Sequence, residues 1–117
     1  MTKSKLINKL DKLLADFTIK RDGKCVKCGN IHNLTTSHYF NRRYMGTRFH
    51  LLNLDTLCIK CHTEVEKNKS KWYKEYKMKQ LGNFYEQLVL LKNQENHFKM
   101  HDLKELYNSI KNILDNL

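Results

Sequence analysis

The segment that decides the fold runs from residue 25 to residue 62 and reads CVKCGNIHNLTTSHYFNRRYMGTRFHLLNLDTLCIKCH. It begins with one Cys-x-x-Cys hook, Cys25–Cys28, and its second hook is Cys58–Cys61; the chain has no other cysteine. Two such hooks supply the four thiolates of a closed tetrahedral zinc site. A zinc ion bound there would hold two distant segments together and would bring His38 and His62 into one neighbourhood.

Disulfides or free thiols are the alternatives to zinc at these hooks. Disulfides are typical of small secreted proteins, but no apolar segment of a signal peptide follows Met1, which argues against an oxidising compartment. A gap of two residues within each hook also favours metal. The gap between the hooks is longer than in a simple zinc ribbon, which indicates an inserted structural unit. We therefore predict one structural zinc ion with four protein ligands, Cys25, Cys28, Cys58 and Cys61.

The length of 117 residues predicts a single domain whose small core a structural metal would supplement. This domain, 1–117, would comprise an N-terminal helix (1–24), a zinc-bound core (25–82) and C-terminal helices (83–117). No stretch approaches the about 20 apolar residues of a membrane span, which excludes a membrane protein. We expect the protein in the cytoplasm of a bacterial host cell.

The formal net charge is +10, and it is unevenly distributed. Residues 1–79 hold 18 Lys or Arg and 7 Asp or Glu, a net charge of +11, whereas residues 80–117 carry a net charge of −1. A strongly basic segment favours a polyanionic partner, most often nucleic acid. A solvated lysine-rich surface is the alternative, but the excess coincides with the cysteines and histidines. We therefore expect DNA as the partner.

Hydrophobic periodicity predicts an α+β fold. Apolar residues at helical spacing predict an amphipathic helix over residues 6–17. The β-prone residues 34–36 predict a strand that ends at His38, and residues 54–57 predict its partner. A helix near the second hook should carry His62, and a further one should cover residues 70–81 with Gly82 as its C-cap.

The remaining segments are predicted to be a loop and two C-terminal helices. Residues 41–46 should form a loop with Arg42, Arg43 and Tyr44 exposed. Asn83 and Asp102 are expected to cap the last two helices. The final helix carries an apolar stripe that is expected to pack in the core, with a homodimer interface as the alternative; its members are Leu103, Leu106, Tyr107, Ile110, Ile113, Leu114 and Leu117.

The inserted segment contains residues suited to phosphodiester hydrolysis. His38, Asn53 and His62 follow one another in the order His–Asn–His. Hydrolysis of a phosphodiester requires a base that activates water and a cation that neutralises the developing charge. Neutral imidazole is available near physiological pH and is also a common metal ligand. The Asn53 side chain, or a backbone carbonyl near it, could hold the tautomer of the base histidine.

This pattern resembles the HNH endonucleases and their ββα-metal core, and is most similar to the NinG/Rap family of phage recombination proteins. The similarity covers roughly residues 25–82. The combination of the cysteine hooks with the other matching residues is more specific than the hooks alone. The matching residues are Cys25, Cys28, Gly29, His38, Tyr39, Arg48, Phe49, Asn53, Cys58, Cys61, Asn68, Tyr73 and Gly82.

The resemblance implies a metal-dependent DNA endonuclease that acts on branched DNA in a phage context. It implies that His38 is the general base, that Asn53 orients the loop and the base, and that His62 binds a catalytic divalent metal, Mg or Mn. It also implies that the four cysteines bind structural zinc. A restriction or homing type of HNH nuclease and a non-catalytic zinc-stabilised DNA-binding protein are the alternatives.

The sequence departs from the family pattern next to the predicted base and in the ligand set. Many HNH enzymes place Asp or His before the base as a second metal ligand, whereas this chain has Ser37. His50 stands where related proteins often have an acid and could replace that ligand, and Glu66 is another candidate. His62 occupies a position where NinG-like proteins often have Asn.

Basic residues around these motifs are the predicted DNA contacts. They are Arg42, Arg43, Arg48, Lys71 and Lys74. A structural role in supporting the zinc loop is the alternative for Arg48. On the helix over 70–81 the lysines are expected to face phosphate, while Trp72 and Tyr76 face the core.

Overall fold

Helices pack around one antiparallel pair of strands in the computed structural model, which describes residues 1–68 and 71–117. The elements in chain order are α1 (Lys3–Asp22), β1 (Leu34–His38), α2 (Met45–Arg48), a 3₁₀ turn (Leu51–Asn53), β2 (Leu54–Cys58), α3 (Ile59–Asn68), α4 (Lys71–Leu81), α5 (Phe84–Asn93) and α6 (Met100–Asp115). This confirms the predicted α+β class. Within the described ranges, none of the helices is both long and apolar enough to cross a membrane.

The two strands set the positions of the predicted base and of the second hook. β1 and β2 pair antiparallel, with Leu34 opposite Cys58 and His38 opposite Leu54. Every residue of β2 is buried, whereas in β1 only Ser37 is. The strand ends agree with those predicted from the sequence to within one residue. As a result, the hook Cys58–Cys61 lies at one end of the sheet and His38 at the other.

Helix α1 is amphipathic as predicted and covers the sheet. Its apolar side buries Leu6, Leu10, Leu14 and Phe17 in a core shared with α6 and β2. Thr2 caps its N-terminus, since the hydroxyl accepts a hydrogen bond from the Lys5 backbone N–H at 3.1 Å. Burial of each leucine side chain contributes about 1.5–3 kcal/mol, so α1 is a major part of the core.

The apolar stripe of α6 packs mainly in the core, as expected. Leu103 and Ile110 are buried against α1, while the end of the stripe is open, with Ile113 46% and Leu117 64% exposed. The homodimer therefore stays a prediction. Asp102 is not the N-cap residue that the sequence suggested: it lies within the helix, and its carboxylate accepts a hydrogen bond from the Lys99 backbone N–H at 2.9 Å.

The loop predicted over residues 41–46 is shorter in the structure. A turn of helix, α2, begins at Met45, and Tyr44 is partly buried rather than exposed. Gly46 allows α2 to lie against α5, because a Cβ atom at this position would collide with the backbone carbonyl of Leu91. Sequence periodicity does not reveal this close approach.

The C-cap predicted for α4 is present in the structure, whereas the residue predicted to cap α5 makes no capping hydrogen bond. Gly82 ends α4 in a left-handed conformation, φ 54°, and its N–H donates to the Met78 carbonyl, as predicted. Asn83 precedes α5 as expected, but its side chain makes no capping hydrogen bond. The predicted start of α4 at Ser70 lies outside the described residues.

A buried ion pair joins α4 to β2, and sequence analysis missed it. Lys77 and Asp55 are fully buried, with 2.9 Å between the ammonium and the nearer carboxylate oxygen. The Lys77 ammonium also donates to the Leu52 carbonyl and to Gln80, and the Tyr73 hydroxyl donates to Asp55 at 2.7 Å. Burial raises the pKa of Asp55 and lowers that of Lys77, and each partner opposes the shift of the other. The pair therefore fixes α4 in one position on the sheet.

Lys77→Met is expected to lower the free energy of unfolding by about 3–5 kcal/mol, because it leaves the Asp55 carboxylate buried without a counter-charge. The measurement is urea denaturation followed by circular dichroism. The double variant Lys77→Met/Asp55→Asn should recover part of the loss, since no buried charge then remains. A single variant as stable as the parent would contradict this account.

Candidate functional site

The four cysteines meet in one cluster that fits a metal ion. Their sulfur atoms all lie within 4.8 Å of one another. The Cys28 and Cys58 sulfurs are 3.7 Å apart, close to the about 3.8 Å between two ligands of a tetrahedral Zn–S₄ site. A disulfide would require about 2.05 Å. The donor set and the spacing both suit a structural zinc ion.

Local backbone geometry forms the first hook and attaches it to the sheet. The Cys25 N–H donates to Asn30 and the Gly29 N–H donates to Cys25, with Gly29 in a left-handed conformation at φ 81°. The Val26 N–H donates to the Thr56 carbonyl of β2. β2 ends at Cys58, and α3 begins at the next residue. Both hooks are therefore fixed by the same strand.

Backbone hydrogen bonds favour the deprotonated form of one cysteine in this cluster, Cys25. Burial raises the pKa of the Cys25 thiol, but hydrogen bonds from the backbone of Cys58, Cys28 and Lys27 outweigh it and lower the pKa to about 6. At Cys61, burial and the neighbouring thiols raise the pKa. Four thiolates this close repel one another, so their joint deprotonation requires a bound cation.

A cleft of about 920 Å³ lies beside the end of β1, between α1, α3 and α4. It brings together both histidines of the predicted site with acidic and basic residues. The charged and histidine side chains in its lining are Asp11, Lys12, His38, Arg42, His62, Glu66 and Lys74. The contribution of α1 was not expected from the sequence.

His38 lies half-buried at the C-terminal end of β1, as predicted for the base. Burial lowers its pKa below the ordinary 6.5; the Asp11 carboxylate acts in the opposite direction, and Arg42 reinforces the lowering. A hydrogen bond with the Arg48 backbone also favours the charged form. Burial is the largest effect, so the imidazole is neutral at physiological pH and can accept a proton.

Asn53 is fully buried and connects the two strands beside His38. Its side-chain oxygen accepts from the Phe40 N–H at 2.8 Å, and its amide donates to the Phe40 carbonyl at 2.9 Å. Its backbone carbonyl accepts from the Tyr39 N–H at 2.9 Å. These bonds fix the chain immediately after His38, so Asn53 is placed to orient the loop but does not line the cleft.

Thr35 determines the tautomer of His62, and sequence analysis did not identify it. The Thr35 hydroxyl donates to the Leu57 carbonyl at 2.7 Å, and it lies 2.8 Å from Nδ1 of His62. When the hydroxyl donates its one proton to Leu57, it accepts from Nδ1–H. In the neutral ring Nε2 then carries the lone pair, 3.2 Å from the Glu66 carboxylate. Two acceptors face each other there, and a proton or a cation between them would be stabilised.

His50, which the sequence offered as a substitute metal ligand, does not lie in the cleft. Its Nδ1 accepts from the Leu52 N–H at 3.1 Å and caps the 3₁₀ turn. Burial and the nearby Lys77 lower the pKa of His50. This placement disfavours His50 as the substitute ligand. Ser37 does line the cleft, but it is buried and interacts with the Tyr73 hydroxyl.

The predicted DNA contacts fall into two groups. Arg42, Arg43 and Lys74 are exposed, and no ion pair found among the described residues includes them. Lys71 is 91% exposed with Glu75 at 3.9 Å, which leaves it largely open to solvent.

Arg48 belongs to the second group, because its guanidinium is already occupied. It binds both carboxylate oxygens of Asp11 at 2.6 and 3.3 Å and connects α2 to α1. This favours a structural role for Arg48, although its partner is α1 and not the zinc loop.

The cleft thus offers a neutral imidazole, a second imidazole with a carboxylate beside its free nitrogen, and exposed cations at its edge. Trp72 and Tyr76 on α4 are stacked at 5.1 Å and pack against the cysteine cluster, as expected for aromatic residues facing the core.

No protein-family model, curated protein or solved structure matches the chain.

Proposed function

We propose that this protein is a metal-dependent DNA endonuclease of the HNH type, which hydrolyses phosphodiester bonds. The observation that carries the proposal is that His38 and His62 line one cleft, from the end of β1 and from α3. An antiparallel strand pair followed directly by a helix is the order expected for a ββα-metal core. The resemblance of the motifs to NinG/Rap proteins adds branched DNA in a phage context as the substrate.

His38 is proposed as the general base. Its pKa is lowered by burial, so it is neutral at physiological pH and able to take a proton from water. Asn53 holds the chain after His38 through both atoms of its amide. In this arrangement Asn53 acts on the reaction by positioning the loop, whereas the imidazole acts on the nucleophile.

His62 and Glu66 are proposed to hold the catalytic metal. With Nδ1–H of His62 donated to the Thr35 hydroxyl, Nε2 is the ring nitrogen that a metal can bind, and the Glu66 carboxylate lies 3.2 Å from it. Two protein ligands completed by water and substrate phosphate are acceptable for magnesium. A divalent ion such as Mg²⁺ or Mn²⁺ would supply a positive charge for the phosphate oxygens. The structural zinc ion at the four cysteines would take no part in the reaction.

Exposed cations support DNA as the substrate. Lys12, Arg42 and Lys74 line the cleft from α1, from the loop after β1 and from α4. Because these cations have no carboxylate partner among the described ion pairs, they are free to contact phosphates. Arg43 lies next to Arg42 on the same loop.

The proposed function is tested with labelled duplex, single-stranded and four-way-junction DNA, each incubated with Mg²⁺ or Mn²⁺ and with a chelator as control. We expect metal-dependent cleavage, most rapid on the junction. Equal rates on all substrates would favour a restriction or homing type of nuclease. Tight binding without cleavage of any substrate would contradict the proposal and favour a DNA-binding protein.

Arg42→Ala/Arg43→Ala is expected to weaken DNA binding and to flatten its salt dependence. Each lost phosphate contact should reduce the slope of log K against log salt by about 0.9 on duplex DNA. Fluorescence anisotropy at several salt concentrations provides the measurement. Lys104→Ala/Lys111→Ala removes two exposed cations of α6 and should leave the slope almost unchanged. The same slope in the parent and the Arg42/Arg43 variant would contradict a phosphate contact at this loop.

A further inference from the structure

A second, smaller groove of about 410 Å³ lies beside the loop that follows His38. Its walls come from Arg43 and Tyr44 on one side and from the end of α5 and the residues after it on the other. The second wall presents the Lys92 ammonium, the Glu95 carboxylate and amide side chains at positions 93, 94 and 96. The groove thus combines an aromatic ring, two cations and several groups that both donate and accept hydrogen bonds.

Aromatic rings hold the two cations of this groove in place. The Arg43 guanidinium lies 4.8 Å from the centre of the Tyr44 ring and donates to its hydroxyl at 2.6 Å. The Lys92 ammonium lies 4.9 Å from the Tyr44 ring and 5.1 Å from the Phe40 ring. Contacts of this kind order long side chains that would otherwise move freely.

The same aromatic pair joins the groove to the cleft. Phe40 lines the cleft, and its ring centre lies 6.4 Å from that of Tyr44, which lines the groove. A strand whose phosphate lies at His38 therefore has a short path over Phe40 to the groove.

The charges of the groove favour an anion with a planar group. Neither Arg43 nor Lys92 takes part in an ion pair within the described ranges, and the Glu95 carboxylate is 3.9 Å from His97. A guanidinium plane or an aromatic ring stacks on a nucleobase, while an ammonium binds phosphate and amides bind base edges. In duplex DNA both faces of a base are covered by its neighbours. An unpaired base alone presents a free face to the Arg43 guanidinium, which the Tyr44 ring supports.

We infer that this groove binds an unpaired nucleotide of the DNA strand that occupies the cleft. The inference rests on the proposed function and specifies its substrate: DNA with a single-stranded or branched region next to the scissile phosphate. Arg43, supported by the Tyr44 ring, binds the base face, and Lys92 binds the phosphate.

The test compares binding of a 12-nucleotide single strand and a blunt duplex of the same sequence, without divalent metal so that neither is cut. Tyr44→Ala should weaken single-strand binding about ten-fold and duplex binding far less. A 2-aminopurine base in the single strand should be quenched on binding to the parent and not on binding to the variant. Tyr44→Phe keeps the ring and should retain most of the single-strand affinity.

Phe84→Ala is the matched control, because Phe84 is an aromatic residue on α5 that is 59% exposed and lines neither the cleft nor the groove. If Tyr44→Ala does not fold, Tyr44→Leu, which keeps an apolar side chain but removes the ring, decides instead. Equal losses on single strand and duplex, or a loss no larger than that of Phe84→Ala, would overturn the inference. Selective binding that depends on Tyr44 in a protein that cuts no DNA would uphold the groove and reject only the nuclease function.

Discussion

DNA cleavage by His38→Ala is expected to be slower than that of the parent by about 10²–10⁴-fold, while DNA binding and zinc content stay nearly unchanged. His38 lies at the end of β1, where its imidazole is held neutral by burial and faces the cleft. Removal of the imidazole takes away the proton acceptor but no cysteine and no exposed cation. Single-turnover rates on the best-cleaved substrate are the measurement.

The pH dependence of the parent provides a second check on His38. A general base works only when deprotonated, and burial places its pKa below 6.5. Cleavage should therefore reach its plateau by neutral pH and should fall as the pH drops through that lowered pKa. In His38→Ala this fall in the cleavage rate at low pH should disappear. A rate that still rises between pH 7 and 8 would assign the base to another group.

Two further histidine variants separate the base from the metal site. His62→Ala should also be slow, but a higher Mg²⁺ or Mn²⁺ concentration should recover part of its rate, because a ligand is lost and not the base. His101→Ala, on the exposed side of α6, serves as the control and should cut like the parent. If His38→Ala and His62→Ala both cut as well as the parent, the HNH assignment is wrong.

Removal of zinc is expected to unfold most of the residues between the hooks. Cys28→Ser should lose the metal and much of the helical signal together, because structural zinc contributes about 10–16 kcal/mol of apparent binding free energy in small metal domains. The parent should contain about one zinc per chain, with the four sulfurs as ligands. Metal analysis and circular dichroism before and after chelation make the comparison.

Zinc re-addition is the control for this experiment, since the chain offers no cysteine outside the cluster. The chelated parent should recover its helical signal when zinc is returned, and Cys28→Ser should recover much less. Metal-free protein that is folded and contains two disulfides would contradict the zinc prediction.

Features that follow from local patterns were predicted correctly from the sequence. The hooks predicted a four-cysteine cluster because the two-residue gap fixes the distance between paired sulfurs. The β-prone residues before His38 and the apolar spacing of α1 predicted the strand and the helix that the structure contains. The strand and the helix required only neighbouring residues, whereas the cluster required two locally defined hooks that are about 30 residues apart.

Features that depend on long-range partners were not predicted. Lys77 resembles the exposed lysines around it, and only the position of Asp55, 22 residues earlier, explains its burial. The role of Thr35 depends on both Leu57 and His62, and that of Arg48 depends on Asp11 in another helix. His50 was offered as a substitute ligand by its place in a motif; in the structure its Nδ1 caps the 3₁₀ turn, and it does not line the cleft. In each case a side chain of ordinary type acquires its role from tertiary packing.

The position of α1 limits how far this site can be treated as a transplantable module. Asp11 and Lys12 form part of the cleft wall, although they lie well before the first hook. The same helix buries its leucines against α6, near the other end of the chain. A fragment cut to residues 25–82 would carry both histidines and all four cysteines, yet it would lack one side of its own binding surface. Grafting the motif onto another scaffold would therefore require a replacement for this wall as well as for the catalytic residues.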